Sequence, residues 1–153
     1  MNRKRPNALT GIAGVHYVAA ELSQRGLVAL PTVRNTAAYD IIAASLDGKK
    51  HANIQVKTSS KRVSFWLMPP SKKIRTGPND YYVLLRWLDN ERRYQGFIVT
   101  GVEAKHEVRR NEKRQENSIT GRTRRNVFPS LHVGGKNETK SRRWAKRWEN
   151  WTL

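Results

Sequence analysis

The sequence predicts an α/β protein of the α+β kind, in which helices flank a central mixed sheet. Three observations lead to this prediction. Apolar residues in the opening segment recur at helical spacing, and residues 51–58 alternate apolar and polar side chains without a break. Two later runs, 81–88 and 94–100, are rich in the aromatic and β-branched residues that favour strands. At 153 residues the chain is most simply one domain, 1–153.

The first element is predicted to be a helix from about Leu9 to Arg25. Its apolar residues recur at spacings of three, four and three. Gly26 follows as a natural helix stop. Gly11 and Gly14 leave the helix backbone bare, so we expect it to pack closely against a neighbouring element. The apolar positions in question are Ile12, Val15, Ala19 and Leu22.

Strands are predicted to fill the middle of the chain. The run 27–33 contains Pro31, which favours a sheet edge or a bulge. Residues 39–44 and 51–58 flank a turn at 47–50 and predict an antiparallel hairpin. After these come a short strand at 63–68, a basic loop at 71–80, a second hairpin formed by 81–88 and 94–100, and a helix from about Val102 to Arg114.

The last third of the chain is strongly basic. Residues 105–153 carry 14 Lys and Arg against five Asp and Glu, and the segment 115–143 is poorly patterned. A Trp-rich helix is predicted at 140–153, because Trp144, Trp148 and Trp151 fall at spacings of four and three. Such an apolar stripe is usually core, and stacking on unpaired bases is the alternative.

Two groups of basic residues are candidates for contact with phosphates. One is on the opposite side of the Trp-rich helix and the other is in the basic loop. Each group is either a solvated surface or a phosphate-binding one, and the sequence leaves both readings open. The residues are Arg142, Arg143, Lys146 and Arg147 on the helix, and Lys72, Lys73 and Arg75 in the loop.

Composition points to a polyanionic partner. The net charge is +18 and the pI is near 11.0, which favours nucleic acid as that partner. A membrane surface is the second candidate, but no amphipathic helix pairs a basic face with a continuous apolar face of useful length. No apolar run approaches the length of a membrane span either, so we expect no membrane partner. The absence of cysteine excludes a disulfide framework and Cys-ligated zinc. It also fits a reducing compartment, and we expect a cytoplasmic protein.

The strand at 51–58 carries the candidate chemistry. Gln55 and Lys57 lie on one face of it, and Asp40 stands 15 residues before Gln55 at the start of a neighbouring strand. An acid, an amide and a lysine on one sheet face could hold a divalent metal and a water against a phosphodiester. The ligands would be the Asp40 carboxylate, the Gln55 side-chain carbonyl and the Val56 main-chain carbonyl. Lys57 would orient the water or stabilise transition-state charge. The alternative is that the polar stripe is only the wet face of a sheet.

These residues resemble the PD-(D/E)XK nuclease superfamily, in a small prokaryotic branch with a Gln-x-Lys catalytic strand. The resemblance is carried by Thr10-Gly-Ile-Ala-Gly14, Tyr39-Asp40 and Ile54-Gln-Val-Lys57. It implies a restriction-endonuclease-like αβββαβ core and a metal-dependent DNA endonuclease that uses Mg²⁺ or Mn²⁺. Asp40, Gln55 and Lys57 would form its catalytic site. It also allows a homodimer, because many nucleases of this fold pair two active sites, one per strand.

The chain departs from the family pattern at one position of the first helix. Related domains commonly carry a glutamate directly after the second glycine, where this chain has Val15. Asp40 is then the only carboxylate that the sequence places at the site, so we expect low metal affinity or lost activity. Asp47 or Glu103 could supply a second acid. Two other functions stay open: a weakened or inactive nuclease fold that binds nucleic acid, and a basic RNA-binding protein.

Overall fold

A computed structural model describes residues 6–33, 39–61, 65–116, 127–128 and 138–153. Within these ranges the chain forms three α-helices, seven strands and a 3₁₀ turn at Ser71–Lys73. The helices and strands in chain order are α1 (Asn7–Gln24), β1 (Val28–Pro31), β2 (Ile41–Ala44), β3 (His51–Ser59), β4 (Trp66–Leu67), β5 (Asp80–Leu88), β6 (Arg93–Thr100), α2 (Gly101–Glu116), β7 (Val127–Phe128) and α3 (Glu138–Glu149).

Five strands form a mixed sheet in the order β1-β2-β3-β5-β6. Only the β3–β5 pair is parallel, and both predicted hairpins are present as the antiparallel pairs β2–β3 and β5–β6. The strand that contains Pro31 lies at the sheet edge, as its proline predicted. The predicted α+β class is therefore confirmed. In one detail the order differs from αβββαβ: the connection between β3 and β5 holds β4 and the 3₁₀ turn, where that order has a helix.

Helix α1 packs against one face of the sheet, as its apolar pattern predicted. Val18 and Leu22 are fully buried against residues of β2, β3 and β5. The contact is close at Gly14, where an added Cβ would lie 1.8 Å from Thr58 Oγ1. Gly26, at a φ of +80°, follows the helix end. The first helix thus packs directly behind the strand that bears Gln55 and Lys57.

Helix α2 covers the other face of the sheet, over β5 and β6. Ala104 and Val108 pack there into a second apolar cluster with residues of both strands. On the same face of β2, Ile42 keeps 42% of its surface exposed. Helix α2 therefore covers this face over β5 and β6 but leaves the side chains of β2 and β3 there partly open to solvent.

Helix α3 joins the two apolar clusters by packing along β6. Trp144 belongs to the cluster under α2, whereas Trp148 and Trp151 belong to the cluster under α1. All three indoles are at most 7% exposed, which confirms that the tryptophan stripe is core. The prediction of a helix at 140–153 is wrong at its C-terminal end, because α3 stops at Glu149. Trp151 lies in the segment that follows the helix and is still buried.

The short strand β7 falls in the segment 115–143 that the sequence left without pattern. It pairs with β4 in a separate two-stranded sheet, and Phe128 is fully buried against Trp144. Residues 117–126 and 129–137 of that segment lie outside the described ranges. Among the described helices, none combines the length and hydropathy needed to cross a bilayer.

Candidate active site

Asp40 and Gln55 lie side by side on neighbouring strands. Ile41 of β2 pairs with Ile54 of β3 in antiparallel register, so the adjacent positions bring Asp40 opposite Gln55. Gln55 Nε2 donates a hydrogen bond of 2.7 Å to Asp40 Oδ2. The structure thus brings together the acid and the amide that the sequence selected.

The main chain of Val56 completes this contact. Its N–H donates a second 2.7 Å hydrogen bond to Asp40 Oδ2, two residues beyond Ile54, the last β3 residue of the β2–β3 ladder. The N–H and C=O of one strand residue point to the same side of the strand. The Val56 carbonyl is therefore directed toward the side on which Asp40 lies. The Asp40 carboxylate, the Gln55 amide and the main chain of Val56 therefore meet where the two strands separate.

Lys57 lies two residues beyond Gln55, on the same face of β3. Its side chain is partly exposed, and no hydrogen bond or ion pair holds it within the part of the chain that the structure describes. An ammonium without an acidic partner can bind an anion or a water near Gln55.

The acids that the sequence offered as compensation do not reach this site. Asp47 is in the exposed β2–β3 turn, where it accepts hydrogen bonds from Ser45 and from the Lys49 N–H. Glu103 begins α2 and binds basic residues of α3. Val15 packs against the core beneath α1. Both suggestions for a second acid, Asp47 and Glu103, were therefore wrong.

A different carboxylate, Asp80, lies on the same sheet face, and the sequence pattern did not predict it there. It is 8% exposed and pairs in register with Asn53, whose Nδ2 donates to Asp80 Oδ1 at 3.1 Å. The Gly77 N–H donates to Asp80 Oδ2 at 2.8 Å. These two bonds hold Asp80 as a brace between β3 and the loop before β5. The sequence feature that could have indicated Asp80 is Asn53, its partner, which is one of the polar residues in the alternating strand.

Arg75 also lies beside the site, although nothing in its local sequence predicted this. With Tyr39, Asn53 and Gln55, it lines a small cleft. Its Nη1 donates a 3.1 Å hydrogen bond to the Tyr39 hydroxyl, and its guanidinium lies 4.9 Å from the centre of the Tyr39 ring. Because Tyr39 directly precedes Asp40, the arginine is tied to the segment that carries the candidate metal ligand.

The donor set suits a divalent cation that keeps most of its water. Both hydrogen bonds that Asp40 accepts from described residues go to Oδ2, which leaves Oδ1 for a ligand. The described residues contain no cluster of three or more His, Cys, Asp and Glu side chains that could hold a metal. Magnesium is bound in proteins by one or two carboxylates together with waters and substrate phosphates. One carboxylate and two carbonyls are thus compatible with Mg²⁺ but not with a closed all-protein cage.

The basic face of α3 is partly neutralised by Glu103. Arg147 Nη1 donates to Glu103 Oε2 at 2.6 Å, and Arg143 and the Trp144 indole N–H donate to Oε1 at 3.2 Å each. Burial would raise the pKa of Glu103, but the bonds from Arg147, the Thr100 N–H and the Trp144 indole outweigh it and lower the pKa to about 2. Glu103 therefore links α3 to the start of α2.

The other predicted basic residues remain at the surface. Lys72 and Lys73 are exposed on the 3₁₀ turn that leads to Arg75. This turn is anchored by Ser71, whose N–H and hydroxyl both donate to Glu112. On α3, Arg142 and Lys146 are exposed. The loop group lies on the segment that reaches the candidate site, whereas the α3 group lies along β6, two strands beyond β3 in the sheet.

The sequence matches no protein-family profile and no curated protein. Solved structures do resemble it. The bacterial homing endonuclease I-Ssp6803I aligns with 95% of this chain and 91% of its own, with a TM-score of 0.53 and 12% identity. The Holliday junction resolvase Hjc of Archaeoglobus fulgidus aligns with 60% of this chain and 73% of its own, with a TM-score of 0.42 and 18% identity.

The likeness to the homing endonuclease extends over nearly the whole of both chains and shows a shared fold. The likeness to the resolvase, with a TM-score under 0.5, does not establish one. The resemblance to a nuclease superfamily predicted from the sequence is thus confirmed at the level of the fold.

Proposed function

We propose that this protein is a metal-dependent DNA endonuclease that hydrolyses phosphodiester bonds at Asp40, Gln55 and Lys57. The observation that carries the proposal is the meeting of Asp40, the Gln55 amide and the Val56 main chain at the point where β2 and β3 separate. The shared fold with a homing endonuclease supports the same reading.

The cofactor in this proposal is Mg²⁺ or Mn²⁺. Asp40 would hold it together with the carbonyl of Val56 and the side-chain carbonyl of Gln55. The Gln55 amide donates to Asp40 through its NH₂ group, and a half turn about its last bond presents the oxygen instead. When bound, such an ion supplies a more acidic water and neutralises charge on the phosphate oxygens.

Lys57 supports the reaction with its own charge. Its ammonium lies on the face of Gln55 without an acidic partner among the described residues. A lysine in this position stabilises the negative charge that grows on the phosphate in the transition state, or it orients the attacking water. Its loss should therefore lower the rate of cleavage more than the affinity for DNA.

DNA is the proposed partner because the charge of the chain favours a polyanion. The net charge is +18, and counterion release should make binding strongly dependent on salt. The proposed contacts are Lys72, Lys73, Arg75, Arg142, Arg143, Lys146 and Arg147. A cytoplasmic location, supported by the absence of cysteine, and a homodimer that could cut both strands are parts of the same proposal.

A second function, a weakened or inactive nuclease fold that binds nucleic acid, is favoured by one observation. The partner bonded to Asp40 is an amide, Gln55, and the position after the second glycine of α1 holds Val15, which packs into the core. Asp80 lines the same cleft as Gln55 but is held by Asn53 and Gly77. A site with one acid holds a metal weakly. Under this alternative the protein binds DNA in a salt-dependent manner but cuts none.

Cleavage and binding assays separate these two functions from each other and from a basic RNA-binding protein. Supercoiled, linear and branched DNA would be incubated with Mg²⁺, Mn²⁺ or EDTA, using the wild type, Lys57→Ala and Lys61→Ala. Lys61 is an exposed lysine just beyond β3 and serves as the matched control. The proposed nuclease cuts at least one substrate with metal only, and loses this activity in Lys57→Ala alone. Binding to all three substrates without cleavage of any would favour the inactive fold. Preferential binding of RNA at matched salt, unchanged in Lys57→Ala, would favour the basic RNA-binding protein.

A further inference from the structure

Arg75 differs from the lysines near it because its main chain is held in place by two contacts: its neighbour Ile74 is buried, and its own carbonyl packs against Gly101. Ile74 is 4% exposed and belongs to the apolar cluster under α2. The Arg75 carbonyl lies so close to Gly101 that an added Cβ there would be 2.0 Å from it. The main chain at Arg75 is thus wedged against the start of α2, even though the side chain is exposed.

The guanidinium itself is held by Tyr39. The hydrogen bond of 3.1 Å to the hydroxyl and the distance of 4.9 Å to the ring centre restrict it from two directions. It is placed in the cleft that Gln55 lines, and Gln55 is bonded to Asp40. A long side chain that is already ordered loses less conformational entropy when it binds a ligand.

No acid satisfies the charge of Arg75 within the described residues. Asp80 lines the same cleft, but the two form no ion pair, and Asp80 is bound by Asn53 and Gly77. A guanidinium that is already ordered and has no carboxylate partner can bind an anion with several oxygens. A phosphate diester bound bidentately is the natural ligand of such a group.

We propose that Arg75 binds the two non-bridging oxygens of the phosphate that is cut, and stabilises the charge that develops on them. This role rests on the proposed endonuclease function and goes beyond general affinity for DNA. A weakly held metal would provide little positive charge at the reacting phosphate, and the Arg75 guanidinium would supply part of what is lacking. Lys72 and Lys73, which are exposed three and two residues earlier, act only as contacts to flanking phosphates.

The test compares Arg75→Ala, Arg75→Lys and Tyr39→Phe with Lys61→Ala as the matched control, because Lys61 is an exposed lysine outside the proposed DNA contacts. Single-turnover cleavage with enzyme in saturating excess over DNA measures the rate of the bound complex. Fluorescence anisotropy with Ca²⁺ in place of Mg²⁺ measures affinity. Thermal melts check that each variant folds, and Asp40→Asn is run beside them.

We expect Arg75→Ala to lower the saturated rate by roughly 100-fold, as the loss of one preorganised donor to a reacting oxyanion does. Arg75→Lys should recover part of this rate, because the charge returns without the bidentate geometry. Tyr39→Phe keeps the ring beneath the guanidinium and should lose less. Lys61→Ala should leave the saturated rate unchanged.

Two results would overturn the role of Arg75, and they differ in what else they refute. If the wild type cuts DNA, Asp40→Asn does not, and Arg75→Ala keeps the wild-type saturated rate, then only the role of Arg75 is refuted. If the wild type cuts nothing with any metal, the endonuclease function fails and the role of Arg75 fails with it.

Discussion

Gln55 Nε2 donates a 2.7 Å hydrogen bond to the carboxylate of Asp40 across two neighbouring strands. The same carboxylate oxygen accepts the Val56 N–H, so a side chain takes the place of the next backbone partner in the β2–β3 ladder. This substitution brings the acid, the amide and the main chain of Val56 together at the end of the ladder.

Replacing Gln55 by glutamate should strengthen binding of the metal. Gln55→Glu puts a second carboxylate within hydrogen-bonding distance of Asp40, and without metal the two charges repel. We expect Mg²⁺ to raise the melting temperature of Gln55→Glu more than that of the wild type. The Mg²⁺ concentration for half-maximal cleavage should fall by about tenfold. Asn150→Asp, at an exposed amide after α3, is the control. An equal response of all three proteins to Mg²⁺ would argue against a metal at Asp40.

Gly14 and Gly11 offer a matched test of how α1 packs behind the site. An added Cβ at Gly14 would lie 1.8 Å from Thr58 Oγ1 and 2.8 Å from Thr58 Cβ, whereas nothing lies within 4 Å of one at Gly11. Gly14→Ala should therefore destabilise the fold by roughly 1–3 kcal/mol. Gly11→Ala should stabilise it by roughly 0.5–1 kcal/mol. Urea denaturation measures both, and equal effects at the two positions would contradict the close packing on β3.

The carboxylate of Glu103 should make stability depend on pH in the acid range. Its pKa falls from an ordinary value of 4.5 to about 2 in the folded chain, because the bonds from Arg147, Thr100 and Trp144 outweigh burial. A folded pKa below the unfolded one stabilises at neutral pH, and this stabilisation is lost as the pH drops from about 4.5 toward 2. The contribution is roughly 2 kcal/mol, allowing for partial exposure. Urea denaturation between pH 2 and 7 should show a shallower acid loss in Glu103→Gln than in the wild type. Parallel curves would refute this role.

Substitutions at two adjacent basic residues of α3 should differ in what they change, one lowering DNA affinity and the other lowering stability. Lys146 is exposed and has no acidic partner in the described chain, whereas Arg147 binds Glu103 at 2.6 Å. Lys146→Ala should lower DNA affinity, and reduce the slope of log affinity against log salt by about one, without changing stability. Arg147→Ala should instead destabilise the fold by roughly 1–3 kcal/mol, because Glu103 loses its shortest partner. Binding titrations at several salt concentrations and thermal melts distinguish them. Equal losses of stability would contradict this division.

The sequence predicted the elements whose pattern is local. Alternation over 51–58, the aromatic runs and the spacing of apolar residues before Gly26 gave β3, β5, β6 and α1 with ends within a few residues. The contact of Asp40 with Gln55 followed from the same hairpin, since it depends only on two strands in register. Burial of the three tryptophans also followed from their spacing.

What the sequence did not predict depends on contacts between distant segments. Arg75 and Tyr39 are 36 residues apart, and a loop residue has no periodicity that reveals its partner. The strand β7 has two residues, too few for an alternation to be visible. Glu103 was offered as a metal ligand because its partners on α3, about 40 positions later, could not be foreseen. In each case tertiary contacts decided the role of the residue.

A comparison of Asp40→Asn with the wild type decides whether DNA is cut at Asp40. Both proteins would be saturated with supercoiled DNA in the presence of Mg²⁺, and the rate of nicking would be measured at equal binding. Asp47→Asn, in the exposed turn, controls for loss of a negative charge. A catalytic Asp40 predicts a rate at least about 100-fold lower in Asp40→Asn, with DNA affinity kept and Asp47→Asn unchanged. A wild-type rate in Asp40→Asn would show that DNA is not cut at this site.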